Sequence, residues 1–328
     1  GVQPGFGGAL RIDFVNATAN GTPPPDYAIT ATAGADDAWT ASDVMAGVTR
    51  VWVTTKFDDK VWTQGHPRLK FVLRGLRLYD PRKDARFGYT GPNPHVWEDP
   101  STHQWSRNAI LGAYNFRRGI FVTGRQGQLE HLLGGRGLSE VEAPPQRIIA
   151  AANVCDELVN SRIRYAADGV IYSSQQFIEI EELFAAACAG VIVSREGGVE
   201  IEPGQAKATA VEITDGDLVS GQPVTFNAFL PDTEGGRINT VVPRYIEPEQ
   251  GWKDHSGPVR RIHADIIADR GPRELTLSLP LVTDGDQADA CAIIARRKGR
   301  LEKRARIVLP PRFAGLEDGD WIGWTSAR

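Results

Sequence analysis

The last third of the chain, from Ile238 to its end, constrains the fold most. It contains INTVVPRYIEPEQGW over 238–252, RELTLSLPLVTDGDQADACAIIARRKGRLEKRARIVLP over 273–310 and GLEDGDWIGW over 315–324. The pattern predicts two strands, one helix that starts at an Asp-Gly-Asp cap, a further strand and a Gly-Asp-Trp turn. This order of elements is specific, and the segment carries no arrangement of residues typical of catalysis.

The helix of this segment is predicted over residues 284–304. Its inner face offers small and apolar side chains, namely Ala288, Cys291, Ala292 and Ala295, with Ile294 and Leu301 alongside. Its C-terminal end is basic, which suits the negative end of the helix dipole; the residues are Arg296, Arg297, Lys298, Arg300, Lys303 and Arg304. Basic runs can contact DNA phosphates. Because the net charge is −4 and no aromatic platform accompanies the run, a solvated or subunit-facing surface is favoured.

Composition excludes several classes of protein. The 328 residues suffice for two or three domains, and 41% hydrophobic with 24% charged residues argues against general disorder. The 35 glycines and 21 prolines favour many short strands and turns. No apolar run approaches the roughly 18–20 residues that cross a bilayer. The first residues, GVQPGFGGALRIDF, lack the pattern of a signal peptide.

The first part of the chain predicts β-structure followed by a long irregular segment. Residues 50–57 and 69–73 alternate between apolar and polar positions, whereas 21–27 contains three consecutive prolines and predicts a loop. Residues 79–145 are dense in Pro, Gly, Asn, His and Trp, and loops of this length are usually functional or bound to a partner. One short helix is predicted inside it, with Ser106 as cap and Ala109, Ile110, Ala113 and Tyr114 at helical spacing.

The middle of the chain predicts a small α+β arrangement. Residues 146–165 predict an amphipathic helix with Ile148, Ala152, Cys155 and Val159 on one stripe, widened by Ile149 and Leu158. A strand is expected over 170–180, a second helix over 181–189, and a β-hairpin over 191–204 around Glu-Gly-Gly. From residue 206 the pattern returns to β-structure.

Candidate chemistry is sparse. The nearest approach to a metal-ligand cluster is His95, Glu98, Asp99 and His103, but no HExxH spacing is present and Pro100 interrupts any helix, so a polar loop anchored by tryptophans is favoured. The glycines Gly134, Gly135 and Gly137 lack the Lys-Ser/Thr of a phosphate loop. We therefore predict no catalytic, cofactor-binding or metal site.

The remaining chemically active residues are interpreted as structural. Adjacent acids occur at Asp36 and Asp37, Glu181 and Glu182, and Asp318 and Asp320, a spacing that is common on surfaces. The three cysteines, Cys155, Cys188 and Cys291, have no metal-ligand spacing and are expected to be buried thiols. The tryptophans Trp52, Trp62, Trp97 and Trp105 leave a carbohydrate-binding module as an alternative, although buried tryptophans are commoner.

The ordered motifs resemble the hub portion of tail-tip attachment proteins of long-tailed phages, the lambda J type, and the hub protein of phage-like gene transfer agents. The matching segments are KFVLRGLRLYDPR (70–82), WSRNAILGAYNF (105–116), NVCDELV (153–159), the hairpin with IEPG (to 204), NTVVPRYIEPEQGWK (239–253), DGDQADACAIIARRKGRLEKR (284–304) and GLEDGDWIGW (315–324). Ala109 stands where that family usually has proline, and His95 to His103 lies in a longer loop than expected.

The resemblance implies an α+β, β-rich fold with phage baseplate-hub-like sheets or barrels and a few short packed helices. It divides the chain into a partial β hub domain (1–75), the long loop segment (76–145), a small α+β domain (146–205) and a second β-rich hub domain (206–328). Because the last strand is short at Arg328, we expect these residues to be a piece of a longer hub protein.

The resemblance further implies a structural protein without enzymatic activity or cofactors, located in the virion at the tail tip. It would form a homotrimer that closes the tail tube and joins distal tail and tape-measure proteins to tail fibre or receptor-binding proteins. It would contact the host receptor only indirectly, and DNA would pass through without sequence-specific binding. The alternative from another class is a virion-associated enzyme that degrades the cell wall, for which no nucleophile-base pair stands out.

Overall fold

The computed structural model describes residues 10–15, 22–36, 38–44, 49–56, 60, 69–123, 129–195, 198–228, 237–301 and 303–326. The chain divides into two compact units, Gly1–Arg74 and Gly75–Arg328. Within the described part no helix is both long and apolar enough to span a membrane. The finer division of the chain at residues 146 and 206 stays a prediction.

In the described part of the first unit there are one antiparallel pair of strands and one helix. Its elements are β1 (Leu10–Val15), α1 (Asp26–Thr32) and β2 (Arg50–Thr55). Leu10 pairs with Thr55 and Val15 with Arg50, so the two strands align along their whole length. The strand predicted over 50–57 is confirmed for 50–55. The strand predicted over 69–73 is wrong for this structure, in which those residues have no regular secondary structure.

The second unit holds the other helices and strands that the structure describes. The helices are α2 (Ala109–Arg118), α3 (Gln146–Asp156), α4 (Phe177–Ala187), α5 (His263–Ala268) and α6 (Gly285–Gly299). The strands are β3 (Arg77–Leu78), β4 (Gln104–Trp105), β5 (Ile120–Thr123), β6 (Leu129–Gly134), β7 (Leu158–Val159), β8 (Arg162–Ile163), β9 (Val191–Arg195), β10 (Gly198–Glu202), β11 (Val211–Thr214), β12 (Thr225–Ala228), β13 (Thr240–Glu247), β14 (Lys253–Ser256), β15 (Arg260–Arg261), β16 (Glu274–Leu279), β17 (Lys303–Arg306) and β18 (Ile322–Thr325).

Helix α2 lies at the centre of the second unit and is buried along almost its entire length. It packs against α3 and α4, and the shared core includes Leu111, Tyr114, Ala152, Ile180 and Phe184. Because α2 has only ten residues and is buried on nearly all sides, tertiary packing rather than helix propensity stabilises it.

Strand β13 organises the last third of the chain. It pairs in parallel with β16 on one edge and antiparallel with β14 and β15 on the other, and α6 packs on this sheet. Strands β11 and β12 pair with the C-terminal strands β18 and β17. The sheets in the described part are small and open rather than closed barrels, so the α+β, β-rich class is confirmed without a barrel.

The predicted helix of the last third begins as expected and ends earlier. Asp284 is its N-cap, and its carboxylate accepts hydrogen bonds from the backbone N–H groups of Asp286 and Gln287. The helix ends at Gly299, so Lys303 and Arg304 belong to β17, because pairing with β12 competes successfully with helical continuation. Leu301 is exposed instead of lying on the inner face.

Two predicted boundaries in the middle of the chain are wrong. The helix expected over 146–165 ends at Asp156, because the chain turns into the β7–β8 hairpin with Asn160 and Ser161 at positive φ. Val159 therefore lies in a strand. The strand expected over 170–180 is absent: α4 begins at Phe177, where Gln176 and Glu179 form a capping box. The hairpin over 191–204 is confirmed as β9 and β10.

The segment 79–145 has more regular structure than its composition predicts. It contains α2, the antiparallel pair β5–β6 and several single 3₁₀ turns. The predicted short helix is confirmed, but its cap is wrong. Asn108, not Ser106, accepts hydrogen bonds from the N–H groups of Ile110 and Leu111, and the Ser106 hydroxyl accepts one from the Asn108 N–H.

Candidate functional site

The two histidines of the long loop lie together in a buried aromatic cluster. The rings of His95 and His103 have centroids 6.1 Å apart, and Tyr79 and Trp97 pack against them. His95 Nδ1 accepts a hydrogen bond from the backbone N–H of Asp80 at 3.0 Å. His103 Nε2 lies 3.0 Å from the carbonyl of Val96, to which it can donate.

The four residues considered as metal ligands, His95, Glu98, Asp99 and His103, have separate environments in the described part of the chain. Burial lowers the pKa of both His95 and His103, so both rings are neutral near pH 7. Glu98 is exposed, and the Asp99 carboxylate accepts hydrogen bonds from the backbone and hydroxyl of Ser101. Among the described residues no group of three or more His, Cys, Asp or Glu side chains is placed to hold a metal ion.

The Tyr-Asp-Pro-Arg motif beside the histidines links three parts of the second unit. The Tyr79 N–H donates to Asn115 Oδ1 and the Asn115 amide donates to the Tyr79 carbonyl, both at 2.9 Å, which ties the loop to α2. Arg82 bridges Asp80 and Asp156 at 2.7 Å each, which ties the loop to the end of α3. The motif is therefore a structural junction.

Three further motif residues are buried amides whose hydrogen bonds join separate elements. The Asn108 amide donates to the Ala152 carbonyl of α3 at 2.8 Å. Asn239 donates to Asp269 and to the Gly271 carbonyl and accepts from the Arg273 N–H. Gln287 donates to the carbonyls of Ala166 and Ala187 and accepts from the Ala166 N–H. Because each buried donor and acceptor needs a partner, these residues specify how the elements meet.

The predicted acid pairs do not form a catalytic arrangement. Glu181 is buried in a two-pronged ion pair with Arg117, at 2.7 Å from Nε and 2.6 Å from Nη2, while Glu182 is exposed. Asp36 is exposed and Asp37 lies outside the described residues. The Glu181 carboxylate is thus held in an ion pair, whereas those of Glu182 and Asp36 face solvent.

The third acid pair belongs to an ionic network around Arg195. The Arg195 guanidinium donates to the Asp318 carbonyl at 3.0 Å and lies 3.8 Å from the Asp320 carboxylate. It also lies 3.3 Å from Glu202 and 3.4 Å from Glu317. This network connects the β9–β10 hairpin to the Gly-Asp-Trp turn, so the acidic residues of that turn fix its position against the hairpin.

The three cysteines, separated in sequence, meet in one core. All are free and buried, on α3, just after α4 and on α6. A hydrogen bond with Cys155, together with burial, raises the pKa of Cys188 well above its usual value, and burial raises that of Cys291 to about 12. Thiols held neutral in this way are poor nucleophiles. The predicted buried thiols are confirmed.

The basic run at the end of α6 is largely paired within the chain. Arg296 binds Asp265 at 3.0 Å, and Arg300 binds both Asp265 and Asp269. Lys298 donates to the carbonyl of Ala189 at 3.0 Å. Because Arg296 and Arg300 are paired with carboxylates of the same chain, the interpretation as a structural surface is favoured over phosphate binding.

The tryptophans and glycines singled out from the sequence have packing roles where they are described. Trp97 is buried, with the Arg118 guanidinium 4.2 Å from its ring centroid, and Trp52 packs edge-on against Trp39. Trp105 is exposed, and Trp62 lies outside the described residues.

The glycine cluster forms a turn against α2. Gly135 and Gly137 have positive φ, and a Cβ on Gly135 would lie 2.3 Å from the Phe116 carbonyl oxygen. The cluster is therefore a close backbone approach, as only glycine permits.

Sequence reasoning missed Arg117 and Arg195. Arg117 follows Ala113 by four positions and Tyr114 by three, so helical spacing already places it on the buried stripe. A buried charge requires a partner, and that signal could have predicted an ion pair. Arg117 also lines a cavity of about 200 Å³ together with Arg136, Arg147 and Glu200. No comparable signal identifies the contacts of Arg195 with the Gly-Asp-Trp turn, which lies far away in sequence.

The chain is similar to a protein family model and to solved structures. Residues 180–328 match the family model described as "Putative phage tail protein". The fold is similar to a chain of "Virion of native gene transfer agent (GTA) particle", with a TM-score of 0.50 and 17% sequence identity. That likeness covers 95% of this chain and 64% of that chain, so the present chain spans less than two thirds of its length. No curated protein matches the sequence.

Proposed function

We propose that this chain is a structural hub protein at the tail tip of a phage or a gene transfer agent. In this role it closes the tail tube as a homotrimer and connects the tube to receptor-binding proteins. The observation that carries the proposal is the fold likeness to a gene transfer agent virion chain over 95% of the sequence. The match of residues 180–328 to a phage tail family supports the coarser statement, a tail structural component, independently.

The internal chemistry of the second unit is consistent with a structural role. Its motif residues Tyr79, Asn108, Asn239 and Gln287 are used to join elements, as expected of a protein whose function is to hold a defined shape. A closed ring of identical subunits is the usual symmetry solution for capping a tube. Distal tail, tape-measure and fibre proteins are the partners that such a position requires.

Intact particles test the proposal. Particles purified from the producing strain should contain this protein, and quantitative mass spectrometry should give about three copies per tail, as the proposed threefold ring requires. Imaging with an antibody against the chain should label one end of the tail. Deletion of the coding sequence should leave tails that are open or absent, and complementation should restore them. Particles that lack the protein, or that assemble and deliver DNA without it, would refute the hub role.

A further inference from the structure

A cavity of about 200 Å³ lies within the second unit, where α2, the start of α3, strand β10 and the loop 136–144 meet. Its lining combines apolar groups such as Ile148 and Val199 with charged side chains. Sites for drug-sized ligands have volumes of roughly 300–1,000 Å³, so this cavity suits a single side chain or a similarly small group.

Arg117 of α2 supplies a buried hydrogen-bond donor to this cavity. Its side chain is only 5% exposed, and Glu181 accepts hydrogen bonds from two of its nitrogens, Nε and Nη2. The third nitrogen, Nη1, donates to no residue in the described part of the chain. Because a buried guanidinium nitrogen requires an acceptor, Nη1 is available to a group bound in the cavity.

Glu200 of β10 supplies the complementary acceptor. Arg147 and Arg195 lie 3.6 and 3.8 Å from its carboxylate, which is too far for a hydrogen bond, and no other described residue donates one to it. Protein atoms enclose Oε1, so Oε2 is the oxygen that a bound group can reach. Burial raises the pKa of Glu200, and nearby arginines, Arg117 among them, oppose this effect. Arg117 and Glu200 therefore act on the same small space.

The charges around the cavity balance one another. The lining includes three arginines and two glutamates, and Glu181 pairs with one of these arginines from behind. A bare anion would meet the glutamates as well as the arginines. A neutral group with an acceptor and a donor on adjacent atoms matches both Arg117 and Glu200, and a carboxamide is such a group.

We propose that this cavity binds the carboxamide side chain, asparagine or glutamine, of a segment from a neighbouring protein. The carboxamide oxygen accepts from Arg117 Nη1 and its NH₂ group donates to Glu200 Oε2. Both hydrogen bonds involve a charged partner inside the protein, where such bonds are strong. The inference rests on the proposed function in one respect, namely that a protein of the assembled tail supplies the segment.

Three tripeptides that are capped at both ends and differ only in their central residue test the proposal on the full chain. The peptide glycyl-glutaminyl-glycine should shift the methyl NMR signals of Ile148 and Val199 in a saturable manner. The peptide with glutamate at the centre cannot donate to Glu200, and the one with methionine can form neither hydrogen bond. Each should bind at least about tenfold more weakly than the glutamine peptide.

Two variants locate the binding. Glu200→Met removes the acceptor and should weaken binding of the glutamine peptide by about tenfold. Arg136→Gln is the matched control, because Arg136 lines the same cavity and is exposed. Loss of its charge should change binding of a neutral peptide by less than about twofold. Where Glu200→Met does not fold, the three peptides on the unmodified chain decide the question by themselves.

Four results would overturn the inference: no saturable shift, which would mean that the cavity holds only water; equal binding of the three peptides; tighter binding of the glutamate peptide; or unchanged binding in a folded Glu200→Met variant. Absence of binding by a chain that is present in particles would refute the site and leave the proposed function intact. Binding by a chain that is absent from particles would refute the proposed function and leave the carboxamide site.

Discussion

The buried ion pair between Arg117 and Glu181 allows a quantitative test of how the second unit is held together. It joins α2 to α4 through two parallel hydrogen bonds, and the side chains are only 5% and 3% exposed. Glu181→Ala removes the carboxylate and leaves the guanidinium buried without its bidentate partner. We expect the second unit to lose about 3–5 kcal/mol of stability, since removal of one member of a buried pair leaves an uncompensated charge.

For Glu181→Ala the structure indicates a loss of stability in the lower half of that range. Arg117 also lines the cavity of about 200 Å³, so water entering there can solvate part of the stranded charge. Replacement of both partners by apolar residues of similar length, Arg117→Met with Glu181→Leu, should cost much less than the sum of the single changes. Its expected effect lies within about 1.5 kcal/mol of the unmodified chain, because desolvation of both charges is avoided.

Chemical denaturation followed by amide exchange of α2 and α4 measures this cost without a contribution from the first unit. Glu182→Ala is the matched control, because it removes the neighbouring carboxylate, which is exposed, and should change stability by less than about 0.5 kcal/mol. The reasoning is refuted if Glu181→Ala costs under about 1 kcal/mol, or if the double variant loses the full sum of the single variants.

Three further perturbations follow from the same geometry. Burial lowers the pKa of His95 and His103, so stability should hold above pH 7 and fall as the pH drops below about 6.5, where only the unfolded rings take up protons. The slope of the unfolding free energy against pH should reach at most about 1.4 kcal/mol per pH unit for each histidine. The double variant His95→Gln with His103→Gln should flatten this slope between pH 7 and 5.5, whereas replacement of the exposed His263 by Gln should not. An unchanged slope in the double variant would contradict the prediction. Gly135→Ala should destabilise the turn against α2 by about 1–3 kcal/mol, measured by thermal unfolding, and a neutral result would exclude the steric argument. Gln287→Leu should lower the stability by at least about 2 kcal/mol in the same assay, because it leaves three buried backbone groups without a hydrogen-bond partner. A Gln287→Glu variant as stable as the unmodified chain would contradict this reasoning.

Several sequence predictions were confirmed because local chemistry decides them. Asp284 caps α6, since a short acidic side chain before a run of helix formers satisfies the free N–H groups wherever the helix packs. The hairpin predicted over 191–204 is confirmed by the antiparallel pairing of β9 with β10, two apolar segments that lie close together in sequence. Burial of the cysteines follows from their apolar neighbours.

The errors arose where a competing partner was distant in sequence. The end of α6 at Gly299 depends on the pairing of Lys303–Arg306 with Thr225–Ala228, and no local sequence pattern predicts this pairing. The residues after Gly169 resemble a strand by composition, but α4 begins among them because its apolar side chains complete the core around α2. Residues 69–73 have strand propensity but no regular secondary structure, so local preference alone does not produce a strand there.

The sequence by itself determined the class of fold, the N-cap of α6 and the match of residues 180–328 to a phage tail family. These properties depend on residues close together along the chain. Only the tertiary structure decided what the motif residues do. It brings Tyr79 to Asn115, Gln287 to Ala166 and Arg195 to the Gly-Asp-Trp turn of the last third. Hydrogen bonds and ion pairs act over a few ångströms, so their partners are set by the packing of whole elements, which local sequence patterns do not encode.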